Sequence, residues 1–177
     1  MSTQEDRLGP TATLTVVWAL VGVLALLGSA VWRLTPLAIE PIRNGTLGTW
    51  DWVLYGASIV FLGWSEGYRG FHLQFSPRCV ARALYLGRRG TRLQRVLAPA
   101  HAMGLFHATR RRLIVAWSIL IGVTLLVILM RRIEQPWRGI VDAGVVVGLA
   151  LGGATIVYHA VRVLSGRAEA ASADLPG

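Results

Sequence analysis

Lysine is absent: all eighteen basic residues of the 177-residue chain are arginine, against nine acidic ones. The guanidinium fork suits phosphate oxygens. However, Ala, Gly, Leu and Val are abundant alongside it, so compositional bias is the simpler account of the missing lysine. What arginine does is therefore judged from where it stands. Cysteine is scarce as well. The single thiol, Cys79, can form neither an internal disulfide nor a metal site, and no Cys-x-x-Cys pair is present. A packing role in a reducing compartment is expected of it. Also missing are a glycine-rich phosphate loop, a Gly-x-Ser-x-Gly elbow, and any His-x-x-x-His, His-Glu-x-x-His or Glu-x-x-His spacing. Ser58, in Gly56-Ala57-Ser58, has no histidine at similar depth to activate it. No catalytic residue, metal or cofactor is expected from these patterns.

Long uninterrupted apolar sequence is what the chain does have. A hydrophobic fraction of 54% and a mean hydropathy of +0.53 could fit a soluble core, but here the apolar residues come in blocks rather than amphipathic runs. Residues 13–32 carry no charge, and about 20 residues at about 1.5 Å each reach the ~30 Å of a hydrocarbon layer. A signal peptide ending near Gly28-Ser29-Ala30 competes with a span, but the run is long and Arg33 follows closely. Residues 33–49 hold Pro36, Pro41 and Asn44-Gly45 and are expected to form a loop. A second span covers residues 50–68, opened by Trp50, Trp52 and Tyr55 and closed by Trp64 and Tyr68 as aromatic belts. The third, 113–130, lies between Arg110-Arg111-Arg112 and Arg131-Arg132. The fourth, 140–161, lies between Arg138 and Arg162, with Asp142 set to pair with Arg138 at i, i+4. The flanking stretches 1–12 and 163–177 are polar and small, and are expected to be frayed and disordered. The predicted fold is thus one all-α membrane domain, 1–177, a four-transmembrane-helix bundle with an Arg-rich cytoplasmic loop at 69–112. No repeat or broken-helix symmetry of a transporter is evident.

Thirteen arginines fall on the side of the termini and the 69–112 loop, and five on the other. The positive-inside rule places both termini and the loop in the cytoplasm, across an inner membrane of bacterial type. Within the loop, Ser76-Pro77 reads as N-cap and N1 of a short amphipathic helix. Arg78, Arg82 and Tyr85 share one side of it, opposite Val80, Ala83 and Leu84. Arg88, Arg89, Arg92, Arg95, Arg110, Arg111 and Arg112 complete a basic surface for anionic headgroups, each worth about 1 kcal/mol. Pro99 is expected to begin a helix running through His101, Phe106 and His107 into the third span. Nucleic acid is not an expected partner, since the arginines flank spans and form no nucleic-acid module.

Helix packing is expected along small-residue stripes: Gly56, Gly63, Gly67 and Gly70 on the second span, and the doubled Gly-x-x-x-Gly of Gly144, Gly148 and Gly152 on the fourth. These support an internal helix pair, a homo-oligomer or a larger complex. Beside the first stripe runs a polar one, Asp51, Tyr55, Ser58, Glu66 and Arg69. Its simpler account is a satisfied seam with Glu66 paired to Arg69 at i, i+3, and its sharper one a proton or substrate path.

All four histidines, His72, His101, His107 and His159, are predicted at one membrane level. With Glu66, Arg69, Tyr158 and Arg162, three of them (His72, His107 and His159) form a candidate ligand cluster at the inner leaflet. The function expected is a non-catalytic membrane subunit or scaffold whose basic face meets anionic lipid or a partner protein. One alternative is an enzyme or binding protein for an anionic amphiphile, with Arg69 and Arg162 holding the headgroup and Glu66, His107 or His159 moving protons. A metal- or haem-binding subunit is another. A small channel or carrier would want a charged pair at the midplane, which the sequence lacks.

Overall fold

The computed structural model describes residues 9–106 and 109–173, the side chain of Arg112 excepted, and these residues contain helices and no strand. Helix α1 (Pro10–Arg43) begins with proline at N1, where a missing N–H costs nothing. It then runs through Pro36 and Pro41, so the loop expected from residue 33 begins only at Asn44. A proline inside a helix deprives the carbonyl four residues earlier of its donor. For Pro41 that carbonyl is Leu37, and Gln135 Nε2 supplies the missing bond at 3.1 Å. The same amide donates to Glu40 Oε2 at 2.9 Å, and Gln135 Oε1 accepts from the Gly139 backbone N–H at 3.0 Å. One side chain thus completes the end of α1 and the start of α7 (Trp137–Leu164).

Asp51 Oδ2 caps α2 (Thr49–Leu62) by accepting from the Gly48 N–H at 2.9 Å. The chain then continues without a break into a π-helix (Gly63–Phe75) and α3 (Ser76–Arg89). This corrects two expectations. The basic segment does not open as a loop at residue 69, and Ser76 is no N-cap. Ser76 is fully buried inside the helical run, its Oγ 2.9 Å from Thr155 Oγ1. Pro77, which cannot donate to an α ladder, stands where the wide i→i+5 turns give way to α turns.

Helix α7 runs antiparallel to α1, with Gly139 against Pro41 at one end and Gly153 near Leu24 further along. The α2–π run lies beside α7 in the same direction: Ser58 meets Gly144, Glu66 meets Gly148 and Phe71 meets Gly152. A small apolar cluster, Ala38, Tyr55, Ile140 and Ala143, closes the end where α1 finishes. The larger core lies at the other end, where Val80 and Ala83 of α3 and Ala98 and Ala102 of α5 (Ala98–Ala102) join Val16 and Ala19 of α1 and Ile156 of α7. Pro99 covers Gly22, and Trp18 Nε1 donates to the Val96 carbonyl of α4 (Arg92–Val96) at 3.0 Å. The basic segment is therefore packed against α1 rather than lying loose beside it. Helix α5 ends at Ala102, and Gly104 has φ +80°, so no continuous helix leads from Pro99 to α6 (Arg110–Met130).

Helix α6 stands apart. None of Leu113–Met130 is buried, although Trp117 Nε1 donates to the Leu105 carbonyl at 3.3 Å. Among the described residues, which form helices and no strand, three helices, α1, α6 and α7, are long and apolar enough to cross a membrane, which marks the chain as a membrane protein. After α7, residues 165–173 turn back over α3 and line a cleft of about 610 Å³ with Tyr85, Arg88 and Arg89. Arg82 Nε donates to the Ala173 carbonyl at 3.0 Å.

Cys79 lies in the larger core and is fully buried. Burial pushes its thiol from an ordinary 9.0 up to about 12, an effect the charge of Arg82 only partly opposes. The folded chain thus holds this proton where the unfolded chain releases it. The corresponding stability is complete below pH 9 and declines as pH rises from 9 towards 12. The intact detergent-solubilised chain is expected to resist maleimide at pH 8 and to take one adduct in denaturant. Rapid labelling of the native chain would contradict this burial.

Candidate functional site

On the π-helix, Trp64, Tyr68 and His72 stand four residues apart and stack in sequence. Trp64 and Tyr68 are 5.0 Å apart at 22°, and Tyr68 and His72 are 5.4 Å apart at 19°. The row crosses to the last turns of α7, where the His72 ring lies 5.0 Å from His159 and 5.9 Å from Tyr158. The helices meet closely here because Gly148 and Gly152 leave room. A Cβ at Gly152 would lie 2.6 Å from the Phe71 ring.

Hydrogen bonds fix the polar end. His159 Nε2 lies 3.1 Å from the His72 carbonyl. A carbonyl only accepts, so Nε2 carries the proton, and a neutral ring offers Nδ1 as an acceptor. Arg162 Nη1 donates to the Tyr158 hydroxyl at 3.1 Å, and the guanidinium carbon lies 5.5 Å from the Tyr158 ring centroid. The Tyr158 oxygen accepts this bond and keeps its own proton to donate. The arrangement is a half-exposed row of rings ending in a fixed cation, a hydroxyl donor and an imidazole acceptor.

Of the expected ligand cluster, the structure brings together His72, Tyr158, His159 and Arg162. Glu66 lies alongside Gly148, and Arg69 is exposed. Among the described residues the two form no ion pair with each other. Three residues make a smaller part of a π turn than of an α turn, so the i, i+3 pairing drawn for an α-helix does not carry over. His101 lies elsewhere: it is buried on α5, with Nδ1 3.0 Å from the Leu97 carbonyl and its ring 5.4 Å from Phe106. His107 falls outside the described residues. Among those described, no three His, Cys, Asp or Glu side chains converge as metal ligands. Trp64 and Tyr68, expected as interface belt residues, join the site instead, and their four-residue spacing to His72 carries the signal of one shared face.

The glycines divide in the same way. Gly63 and Gly67 meet Val147 and Leu151 of α7, and Gly144, Gly148 and Gly152 line the opposite side of that contact. Gly56 meets nothing, and Gly70 meets only its own helix. Asp142, buried on α7, lies 3.5 Å from Arg138 Nε.

Among the arginines expected at headgroups, Arg88, Arg89, Arg92, Arg110 and Arg111 are exposed, and Arg78 and Arg95 partly so. Arg78 Nη1 donates to the Gln74 carbonyl at 3.0 Å. Arg82 is a correction: it is only 7% exposed, its guanidinium packs against Gly104, and it holds the C-terminal segment rather than facing a bilayer. Compared with protein-family models, curated proteins and solved structures, the chain matches none.

Proposed function

We propose that the chain is a non-catalytic, four-span scaffold of an inner membrane, and that its basic cytoplasmic face holds anionic lipid. The fourth span is the helical run of α2 and the π-helix, which lies against α7 and joins α1, α6 and α7 in crossing the bilayer. At about 1.5 Å per residue, α1 reaches about 51 Å, well beyond a hydrocarbon layer of ~30 Å. Its first turns can therefore stand at the inner headgroup level, with α3 and α5 packed on them. Arginine asymmetry orients both termini to the cytoplasm.

The observation that carries this reading is the gathering of exposed cations at one end of the bundle. Gly87 rests on Ala12 at the start of α1, so Arg88, Arg89 and Arg92 follow at that end, and Arg162 closes α7 there. Such cations favour anionic headgroups through a force that salt screens.

The test uses the full chain in nanodiscs of equal phosphatidylglycerol and phosphatidylcholine, with mass spectrometry of the lipids kept after mild extraction. Phosphatidylglycerol is expected to be enriched severalfold. The enrichment should fall at high salt and fall further when Arg88, Arg89 and Arg92 are all changed to Gln. A retained shell matching the bulk composition would sink the proposal.

A further inference from the structure

We infer that Tyr158, His159 and Arg162, with His72 behind them, form a discrete site for one anionic glycerophospholipid whose acyl chain lies along Tyr68 and Trp64. The inference rests on the membrane orientation proposed above and adds to it a single stoichiometric site.

The donors come first. A guanidinium carries five N–H groups. Arg162 commits Nη1 to Tyr158 and, among the described residues, directs none of its other donors to the protein. Contact with the Tyr158 ring holds the side chain in place, so less freedom is lost on binding. The Tyr158 hydroxyl, polarised by the bond it accepts, has its own proton available for the same anion. A phosphodiester oxygen can thus be met by a charged donor and a neutral one side by side, a geometry favouring charge-assisted bonds. His159 Nδ1 adds an acceptor, which suits a headgroup bearing a hydroxyl, as the glycerol of phosphatidylglycerol does, and gives nothing to a quaternary ammonium.

The ring row distinguishes a lipid from free phosphate. Tyr68 is 43% exposed and Trp64 58%, and they stack in one line leading from His72 back along the π-helix. Since Glu66 meets Gly148 while His72 meets His159, the row runs from the end of α7 towards its middle. That is the direction from headgroup to hydrocarbon. A free anion would use the donors and leave the rings idle, whereas a phospholipid uses both.

Native mass spectrometry of the full chain in detergent, titrated separately with phosphatidylglycerol and phosphatidylcholine, tests this. One phosphatidylglycerol should bind about tenfold more tightly than phosphatidylcholine. Arg162→Gln should remove that preference, while Arg43→Gln, an exposed arginine at the far end of α1, should keep it. Tyr158→Phe, which removes one hydroxyl and keeps the ring, should weaken phosphatidylglycerol about threefold to tenfold, and it serves if Arg162→Gln does not fold. Millimolar inorganic phosphate should not displace the lipid. An Arg162→Gln or Tyr158→Phe chain that folds and binds phosphatidylglycerol as the unaltered chain does would overturn the site. Displacement by phosphate alone would overturn its assignment to lipid. If the salt-sensitive shell enrichment persists while the single site fails, only this inference falls. If the shell enrichment itself is missing, the scaffold reading falls first.

Discussion

Alanine at Gly144 is expected to lower stability by about 1–3 kcal/mol, and leucine there to prevent recovery of a folded chain from detergent. A Cβ at this position would lie 2.5 Å from Ser58 Oγ and 2.6 Å from the Ser58 carbonyl oxygen. A hydroxyl can rotate away, but a backbone carbonyl moves only with its helix, so α2 and α7 must separate. In a bilayer, lipid tails are as apolar as leucine, and helices associate through close packing. Separation therefore removes the very contact that holds the pair. The neighbouring glycines provide graded comparisons. At Gly152 the obstacle is Phe71, whose Cγ moves only if the whole side chain swings, so alanine should cost there too, whereas at Gly148 the nearest atoms are 3.4 Å away and alanine should cost less. At Gly56 nothing lies within 4 Å, and alanine should be neutral or stabilising by up to about 1 kcal/mol through helix propensity. Thermal unfolding of the series in one detergent checks this, and equal shifts for Gly144→Ala and Gly56→Ala would refute the packing account.

Methionine at Arg82 is expected to cost about 1.5–3 kcal/mol and to free the C-terminal segment. The substitution keeps an apolar stem of similar reach and removes the Nε–H that holds the Ala173 carbonyl at 3.0 Å. It also removes the guanidinium that packs against Gly104, where φ is +80° and a side chain would be strained. Arg82→Lys should rescue little, since an ammonium reproduces neither the planar fork nor the Nε direction. Arg167 lies in the returning segment and provides the readout. Proteases cut backbone that opens locally, so trypsin should cleave after Arg167 faster in Arg82→Met than in the unaltered chain. Unchanged cleavage together with an unchanged midpoint would show that Arg82 does not hold this segment.

The parts of the fold that were legible in sequence are those set by local composition. The charge-free run of α6 between arginine groups needs no partner to be recognised. On α7, a regular α-helix, glycines four apart lie on the face that packs. The rest depended on distant residues. Pro41 looked like a breaker because the donor that replaces its missing N–H comes from Gln135, 98 residues from the acceptor. Arg82 looked like a surface cation because the strand of chain covering it arrives 91 residues later. On the second helix, stripes drawn at 3.6 residues per turn hold only as far as Gly63, because a π-helix of 13 residues shifts every angular position beyond it. That shift removes Gly70 from the packing face and undoes the Glu66–Arg69 pair. The candidate site was legible only as a list. His72 and His159 are 87 residues apart, and their meeting follows from how the π-helix lies on α7.

The isolation of α6 has a consequence for how its sequence can drift. Since no side chain of Leu113–Met130 is buried by the rest of the chain, few beyond Trp117, which bonds the Leu105 carbonyl, are held to one shape by a neighbour. Exchanges among Leu, Ile, Val and Phe change insertion free energy by only tenths of a kcal/mol, whereas Asp or Arg at the helix centre costs about 2.5–3.5 kcal/mol on any side. Related chains should therefore inherit the hydropathy of this segment and let its letters change. A lineage that instead held one side of α6 constant would reveal a neighbour belonging to another molecule.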